Sequence, residues 1–598
     1  MKVNLNQILK EFDSGKKESA YFKLKKYVNK NNTNIQARYN LAVMEQQLGY
    51  FNLAIKNFKY IILIDSKHIN SITNLYVIYI EKKNYQEALK LIDKALIIQD
   101  NKQSLLRDKS LLLYYLKKPD EAIMFAKKAL ELNSQDLITL NNIGLILMSL
   151  KKYDEAKKIL IKGLTLDSSN IYLVNSMGRC YGYLNDSLKA INFFKKAINL
   201  QPEAHQPINN LAGYFVDSGK YEKGLKYYKK ALEKDPQNII IIANMAKTYL
   251  HLNEDVLAEE YCQKCLNLDP SNNMIKKTYA LFLLKKQKYE KAWHYFDGRL
   301  NLDEFTEKNS YVSITKKYLW KGEKIRHDDK ILIIREQGVG DEILYGTMYT
   351  DLINKFENVT IESDKRLIPL FENSFSLTKN QKFVPLGAYS KNEEKLKSIN
   401  AVMYAGSLGQ LFRNDLKDFN KKPYLKIIKE DNDQIIESLS KMKSKYKIGI
   451  SWKSFQNNYG SSKSISLETL KPILNRSEIN FINLQYGNVA NEIKKFVNQH
   501  SISITTLQNI DLFNDLSKIC ALLKNLDIFI TVSNSTAHLA GALGVKTWLI
   551  KPKNHATFHY WNQPKNTTPW YDSITILSAN SNANLIKRIN MNIDNLIS

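Results

Sequence analysis

The first half of this chain repeats itself with a period of 34 residues. A small residue recurs at Ala20, Ala54, Ala88, Ala122, Ala156, Ala190, Gly224, Ala258 and Ala292, and every interval is 34 residues. The flanks agree: Lys83 to Ala88 reads KNYQEA, Lys152 to Ala156 reads KYDEA, and Lys288 to Ala292 reads KYEKA. A second small residue follows seven positions later at Ala95, Ala129, Gly163, Ala197, Ala231 and Cys265. Pro202, Pro236 and Pro270 also lie one period apart, where a proline cannot continue a helix. Such a period predicts stacked helical hairpins, because one hairpin cannot bury its apolar face alone. The expected product is an α-solenoid over residues 1–306, with a concave surface and with atypical first and last units as caps. Pro119 stands where several other units carry Tyr or Phe, so the turn of the fourth unit is expected to differ.

The array resembles the tetratricopeptide repeat, with nine units in unbroken register. One position of the first helix reads Asn40, Asn74, Asp108, Asn142, Ser176, Asn210, Asn244 and Thr278. A side-chain amide offers a donor and an acceptor, so it can pair with any peptide group. In tetratricopeptide glycosyltransferases that modify proteins, a comparable asparagine ladder holds the acceptor backbone. The resemblance therefore implies an acceptor groove at Asn40, Asn74, Asn142, Asn210 and Asn244. Asparagine is also frequent at this position of the repeat generally, so a purely structural ladder stays open.

Length and composition bound the rest. A chain of 598 residues needs more than one core. No apolar run is long enough to cross a membrane, and the N-terminus lacks the pattern of a secretory signal. The four cysteines are sparse, as in a reducing cytoplasm, so a cytoplasmic location is expected. Cys262 and Cys265 form a lone pair with no second pair, and Cys265 fills a buried repeat position, so a structural role is expected. The net charge of +27 comes from lysine spread along the whole chain. Without a basic cluster bearing interleaved aromatics, no nucleic-acid partner is expected. Peripheral attraction to an anionic membrane surface is compatible with the charge.

The helical period stops near Gly322 and α/β patterning begins. Lys330–Arg335 is a short β-prone run that leads through Glu336-Gln-Gly-Val-Gly-Asp341 into a helix. Val359–Glu362 and Ala401–Tyr404 read as further strands. A second set begins at Tyr446–Trp452 and continues with Ile479–Gln485. It ends in Ile528–Val532, a polar corner Ser533-Asn-Ser-Thr536, and a small-residue helix stopped by Gly544. At the carboxyl end of a parallel strand, such a helix start accepts a phosphate. The expected domains are 1–306 for the array, 307–326 as a linker, and 327–430 and 431–598 as two doubly wound α/β lobes with a cleft between them.

Five motifs in order carry a second resemblance. Glu336 to Asp341, Gly449-Ile-Ser-Trp452, Lys463-Ser-Ile-Ser-Leu467, Asn483-Leu-Gln-Tyr-Gly487 and Asn534-Ser-Thr-Ala-His-Leu-Ala-Gly541 resemble those of tetratricopeptide glycosyltransferases related to the ADP-heptose transferases. Thr547–Ile550 and Pro569–Tyr571 continue the match. The resemblance covers residues 325–575 and implies a GT-B fold, a nucleotide-sugar as donor substrate, no other cofactor and no metal. It implies metal-independent, inverting transfer to an acceptor, a protein recruited by the array or a lipopolysaccharide or other surface glycan. A non-catalytic scaffold with a degenerate transferase domain is the remaining alternative.

The same resemblance implies Asp341 as general base and Lys463 as a donor-phosphate contact, with Gly340 close by. The competing reading of Asp341 is a helix cap. Ser533, Asn534, Ser535, Thr536 and His538 surround the helix start and would hold the diphosphate. Gln485 and Trp452 are expected as base or ribose neighbours, with core packing the other reading of Trp452, and His555, His559 and Trp561 follow the last strand and are expected to line the cleft. Heptose transferases carry Asp where this chain has Ser533; a hydroxyl cannot replace that charge, so the resemblance does not extend to a heptose donor. Asp431-Asn-Asp433 has the spacing of a metal-binding pair but reads as a solvated helix start.

Overall fold

The computed structural model describes residues 5–302, 305, 311–442, 444–455, 463–551, 559–561, 566–579 and 581–597. The chain forms two compact units, Met1–Pro236 and Gln237–Ser598.

The first unit is seven helical hairpins, from Leu5–Asp13 with Lys17–Lys30 to His205–Asp217 with Tyr221–Lys234. The small residues at the repeat position are fully buried: Ala20, Ala54, Ala88, Ala122, Ala156 and Ala190 expose no surface. Gly224 is packed so tightly that a Cβ there would lie 2.4 Å from the Val216 side chain. Pro119 does not alter the fourth turn. It takes the first position of the helix Pro119–Leu132, where its fixed φ fits and its missing N–H is not needed. The preceding Lys117 has the same left-handed φ as its counterparts Lys83 and Lys151.

The second unit opens with two more hairpins, Ile239–Leu252 with Asp255–Leu268 and Asn273–Lys285 with Tyr289–Phe296. Cys262 and Cys265 are buried there as free thiols, pushed up to about 12 and about 11 by burial, so both stay protonated. The last helix has only eight residues and breaks into a 3-10 turn, Asp297–Asn301.

Two parallel sheets follow. The first has the order β3-β2-β1-β4, from β1 (Lys330–Ile334), β2 (Asn358–Ser363), β3 (Lys382–Pro385) and β4 (Ala401–Tyr404). The second has the order β6-β5-β7-β8-β9, from β5 (Tyr446–Ser451), β6 (Ile479–Asn483), β7 (Ile528–Val532), β8 (Thr547–Lys551) and β9 (Ile574–Ser578). All pairings are parallel.

Two boundaries differ from the sequence reading. Part of the expected linker belongs to the first lobe: Tyr311 and Val312 pack with Leu332, Ile334, Val402 and Tyr404, and Trp320 N–H donates to Val402 O at 2.9 Å. The helix Lys429–Ser440 packs on Leu516–Lys524, so the second lobe begins before residue 431. Asp431 lies in the first turn of that helix and Asp433 is exposed on it.

Candidate functional site

In a doubly wound sheet the strand order reverses at one point, and a crevice opens there at the carboxyl ends. In the second lobe that point lies between β5 and β7. Asn534 caps the helix Ser535–Leu543, its Oδ1 accepting from Ala537 N–H at 3.1 Å. Its Nδ2 donates to Ser451 Oγ at 2.8 Å, and Ser451 Oγ donates to Gln485 Oε1 at 3.1 Å. Gln485 Oε1 also accepts from Trp452 N–H and Lys453 N–H at 2.9 and 2.6 Å. Asn534 and Gln485 thus form the polar floor that ties together the ends of β5, β6 and β7. Trp452 is fully buried in the lobe's core, its indole N–H reaching Glu492 at 3.3 Å.

Above this floor two helix N-termini meet. Val339–Gly346 from the first lobe packs against Ser535–Leu543 from the second. Gly340 permits the approach: a Cβ there would lie 3.1 Å from His538 Cδ2 and 3.4 Å from Ser535 Cα. Asp341 Oδ2 accepts from Gly338 N–H at 3.3 Å, so the capping role is real. The same carboxyl is coupled to buried Lys463. Enclosure by the protein pushes Asp341 up to about 6, although the Gly338 N–H and the Lys463 ammonium pull the other way. Burial brings Lys463 down to about 8, opposed by Asp341.

His538 is enclosed by aromatic rings, with Trp561 at 4.9 Å and Tyr560 at 5.2 Å between centroids. Its Nδ1 lies 3.2 Å from Tyr571 Oη. Burial and the Lys463 charge hold His538 down to about 3, so the ring is neutral at neutral pH. If Tyr571 donates to Nδ1, the ring proton sits on Nε2, at the edge facing Gly340. Ser533 is buried, and its Oγ accepts from the Trp561 indole N–H at 3.0 Å. His559 is buried beside Tyr560 and Trp570.

Gly340, Asp341, Lys463, Ser535 and His538 therefore come together at one place, with Ser533, Trp561 and His559 beside them. Thr536 is buried at the first turn of its helix. His555 lies outside the described residues. The ladder residues lie on the array, and several of them bond to the preceding repeat. Asn74 Nδ2 donates to Tyr39 Oη at 3.2 Å, Ser176 Oγ to Asn141 Oδ1 at 2.7 Å, and Asn210 Nδ2 to Asn175 Oδ1 at 3.1 Å. Asn40 accepts from Gln36 within its own helix, and Asn142 is buried. Asn244 lies in the helix Ile239–Leu252 of the second unit, partly buried.

Comparisons with known proteins bear on the array. Residues 215–281 match one family model described as a tetratricopeptide repeat, and residues 138–170 and 172–203 match another. The array is a run of tetratricopeptide repeats. Protein FlbA of Caulobacter vibrioides is 26% identical over 271 residues, which is 43% of this chain and 44% of FlbA. The chain thus spans less than half the length of that relative. A tetratricopeptide repeat protein from Parabacteroides merdae matches 41% of this chain and 96% of its own at 18% identity, with a TM-score of 0.39. YrrB, described as a tetratricopeptide protein with an unusual peptide-binding site, matches 31% of this chain and 95% of its own at 22% identity, with a TM-score of 0.26. Tetratricopeptide arrays offer extended surfaces to protein or peptide partners.

Sequence reasoning missed Tyr345 and Tyr560, both near enough to Asp341 to feel its charge. It also missed Arg299, a buried cation in the turn after the last repeat. The signal for Arg299 was available: Gly298-Arg299 interrupts the final helix where the other units run on for another turn and a half.

Proposed function

We propose that this chain is a metal-independent, inverting glycosyltransferase of GT-B type whose tetratricopeptide array recruits the acceptor. The observation that carries the reading is the meeting of two helix N-termini above a strand-order switch point, with Gly340 lodged against Ser535 and His538 and with Asp341 and buried Lys463 near enough to feel each other's charge. In this reading the donor's diphosphate lies at the start of Ser535–Leu543, where the helix dipole and Lys463 offset the charge that builds up as it leaves. The acceptor hydroxyl attacks the anomeric carbon, the carbon–oxygen bond to the diphosphate breaks, and the hydroxyl proton passes to Asp341. A carboxyl raised to about 6 is mainly ionised at pH 7 yet more basic than an ordinary aspartate, which suits a general base. Neutral His538 would donate to a donor oxygen from Nε2 while Tyr571 fixes its ring.

The array supports a protein acceptor, because repeats of this kind bind proteins and peptides. The test is a thermal-shift screen of UDP-, ADP-, GDP- and CMP-sugars followed by a transfer assay with the stabilising donor. One nucleotide class should raise the melting temperature through mass action. No shift with any of them at millimolar concentration would overturn the reading. Replacing Asn142, Asn210 and Asn244 together should weaken acceptor binding and leave the donor shift intact. Unchanged acceptor affinity would point instead to a lipopolysaccharide or other glycan acceptor.

A further inference from the structure

The switch-point crevice of the first lobe lies between β1 and β4, and it is filled by the end of the repeat array. Glu336, at the carboxyl end of β1, is 1% exposed. Its carboxylate accepts from Arg299 Nε at 2.8 Å, from an Arg299 Nη at 2.6 Å and from Gly406 N–H at 2.6 Å. Arg299 is 3% exposed and also donates to Asp297 at 2.7 Å, Ser407 Oγ at 3.1 Å and Phe296 O at 3.2 Å. The last repeat is anchored beside it. Trp293 donates to Arg413 O at 2.7 Å and lies so close to Gly409 that a Cβ there would sit 2.5 Å from the indole.

Only four residues separate Glu336 from Asp341, and three of them are constrained. Gln337 has a left-handed φ of 61°. Gly338 N–H is bonded to Asp341, and Gly340 is lodged against His538. A buried ion pair is a poor device for stability alone, because apolar residues of similar volume often serve as well. What a bidentate guanidinium adds is direction, since its planar fork fixes the carboxylate in two bonds at once.

We propose that Arg299 is a positioning residue: it holds Glu336, and through the short loop it fixes Asp341 against the second lobe. The last repeat thereby sets the geometry of the site. The catalytic half of this inference rests on the reading of Asp341 as the base.

The test uses the full chain with two variants. Arg299→Lys keeps the charge but loses the fork. The double variant Arg299→Met with Glu336→Leu removes both charges, so neither is left buried and unpaired. Hydrogen exchange should rise about tenfold or more at the amides of 337–342 in both variants, with no change in the helix Ser535–Leu543. With the donor found by the thermal-shift screen, kcat should fall about 10²-fold with an unchanged donor KM. The acid limb of the kcat profile should move to lower pH as the Asp341 carboxyl gains water. Unchanged exchange at 337–342 in a folded double variant would overturn the proposal. So would a kcat loss matched by an equal loss of folded protein. If the wild-type chain transfers no sugar, the base reading fails, and the exchange measurement still decides whether Arg299 holds the loop.

Discussion

The repeat array and the α/β region use the same strained backbone conformation to different ends. In the array, Gly15, Gly49, Lys83, Lys117, Lys151, Asn185, Gly219, Asn253 and Gln287 all have φ between 55° and 93°. They lie one period apart, at the turn inside each hairpin. A Cβ added at Gly15, Gly49 or Gly219 would meet nothing within 4 Å, so the left-handed φ, and not space, is what limits residue type there. In the α/β region the described non-glycine residues Gln337, Lys421, Ser501 and Asn566 adopt it at unrelated places, Gln337 and Lys421 at φ 61° and 56°. Gln337 precedes the Asp341 helix. Lys421 opens the crossing between lobes, where Tyr424 and Leu425 N–H groups both donate to Ala542 O and Tyr424 Oη donates to Ile343 O at 2.5 Å. A left-handed turn used nine times is a stacking device, filled here by Gly, Lys, Asn or Gln. A left-handed turn used once holds particular groups in place, and its neighbours are not interchangeable.

The comparison can be broken by substitution. At the unique positions the effects should be large. Asp341→Asn should lower transfer by about 10²- to 10⁴-fold while keeping the melting curve and the donor-induced shift. Initial rates within a small factor of wild type would remove Asp341 from the chemistry. Arg299→Ala should cost roughly 3–5 kcal/mol in urea unfolding, because it leaves the Glu336 carboxylate buried without its cation. A loss below about 1 kcal/mol, the level of an exposed pair, would show that the contact is not a buried one in solution.

A pH titration sharpens the contrast further. Burial holds His559 and His538 down to about 3 in the folded chain. Unfolded imidazoles bind protons near pH 6.5, so between pH 6.5 and 3 the unfolded chain binds more protons and stability falls as pH falls. Asp341 works in the opposite sense. Its folded value of about 6 exceeds the unfolded value of about 4, so it adds stability as pH falls from 6 to 4. At pH 5 each histidine should cost roughly 2 kcal/mol and Asp341 should return roughly 1 kcal/mol. Unfolding of His559→Gln at pH 7 and pH 5 should show a loss about 2 kcal/mol smaller than wild type. An identical loss would mean that His559 is hydrated.

The smallest effects belong to the array, and they should be gains. Glycine at Lys83, Lys117 or Lys151 relieves a left-handed side-chain residue, while adding freedom to the unfolded chain. The net gain should be about 0.5 kcal/mol per site, and the triple variant should show it as a raised urea midpoint. A loss would mean that the lysine side chains make contacts that the turn depends on.

Much of this was legible in the sequence because the array is locally encoded. Period, small positions and helix ends recur, and each repeat corroborates the others. The polar corner Ser533–Thr536 was equally legible, since a β-run followed by a capped small-residue helix has few other outcomes. The edge strands β3 and β9 were not singled out, and β3 has only four residues. Nor did local pattern show that Asn534 and Gln485 hold the floor through Ser451, because three different strand ends meet there. The turn at Pro119 was misjudged because proline's effect depends on its position in the helix, which register alone places at the first turn.

The sequence by itself determined the repeat period, the change to α/β patterning and the residue types available at the two glycine-bearing and hydroxyl-bearing turns. These depend on neighbours within one or two turns of chain. Only the tertiary structure decided which of them face one another. The loop before Asp341 meets His538 through Gly340, and the charge of Lys463 acts on both Asp341 and His538, across more than a hundred residues; burial there changes their proton affinities. It also decided that Arg299 closes on Glu336, because a buried charge has to find its partner wherever the packing places one, and sequence distance sets no limit on that search.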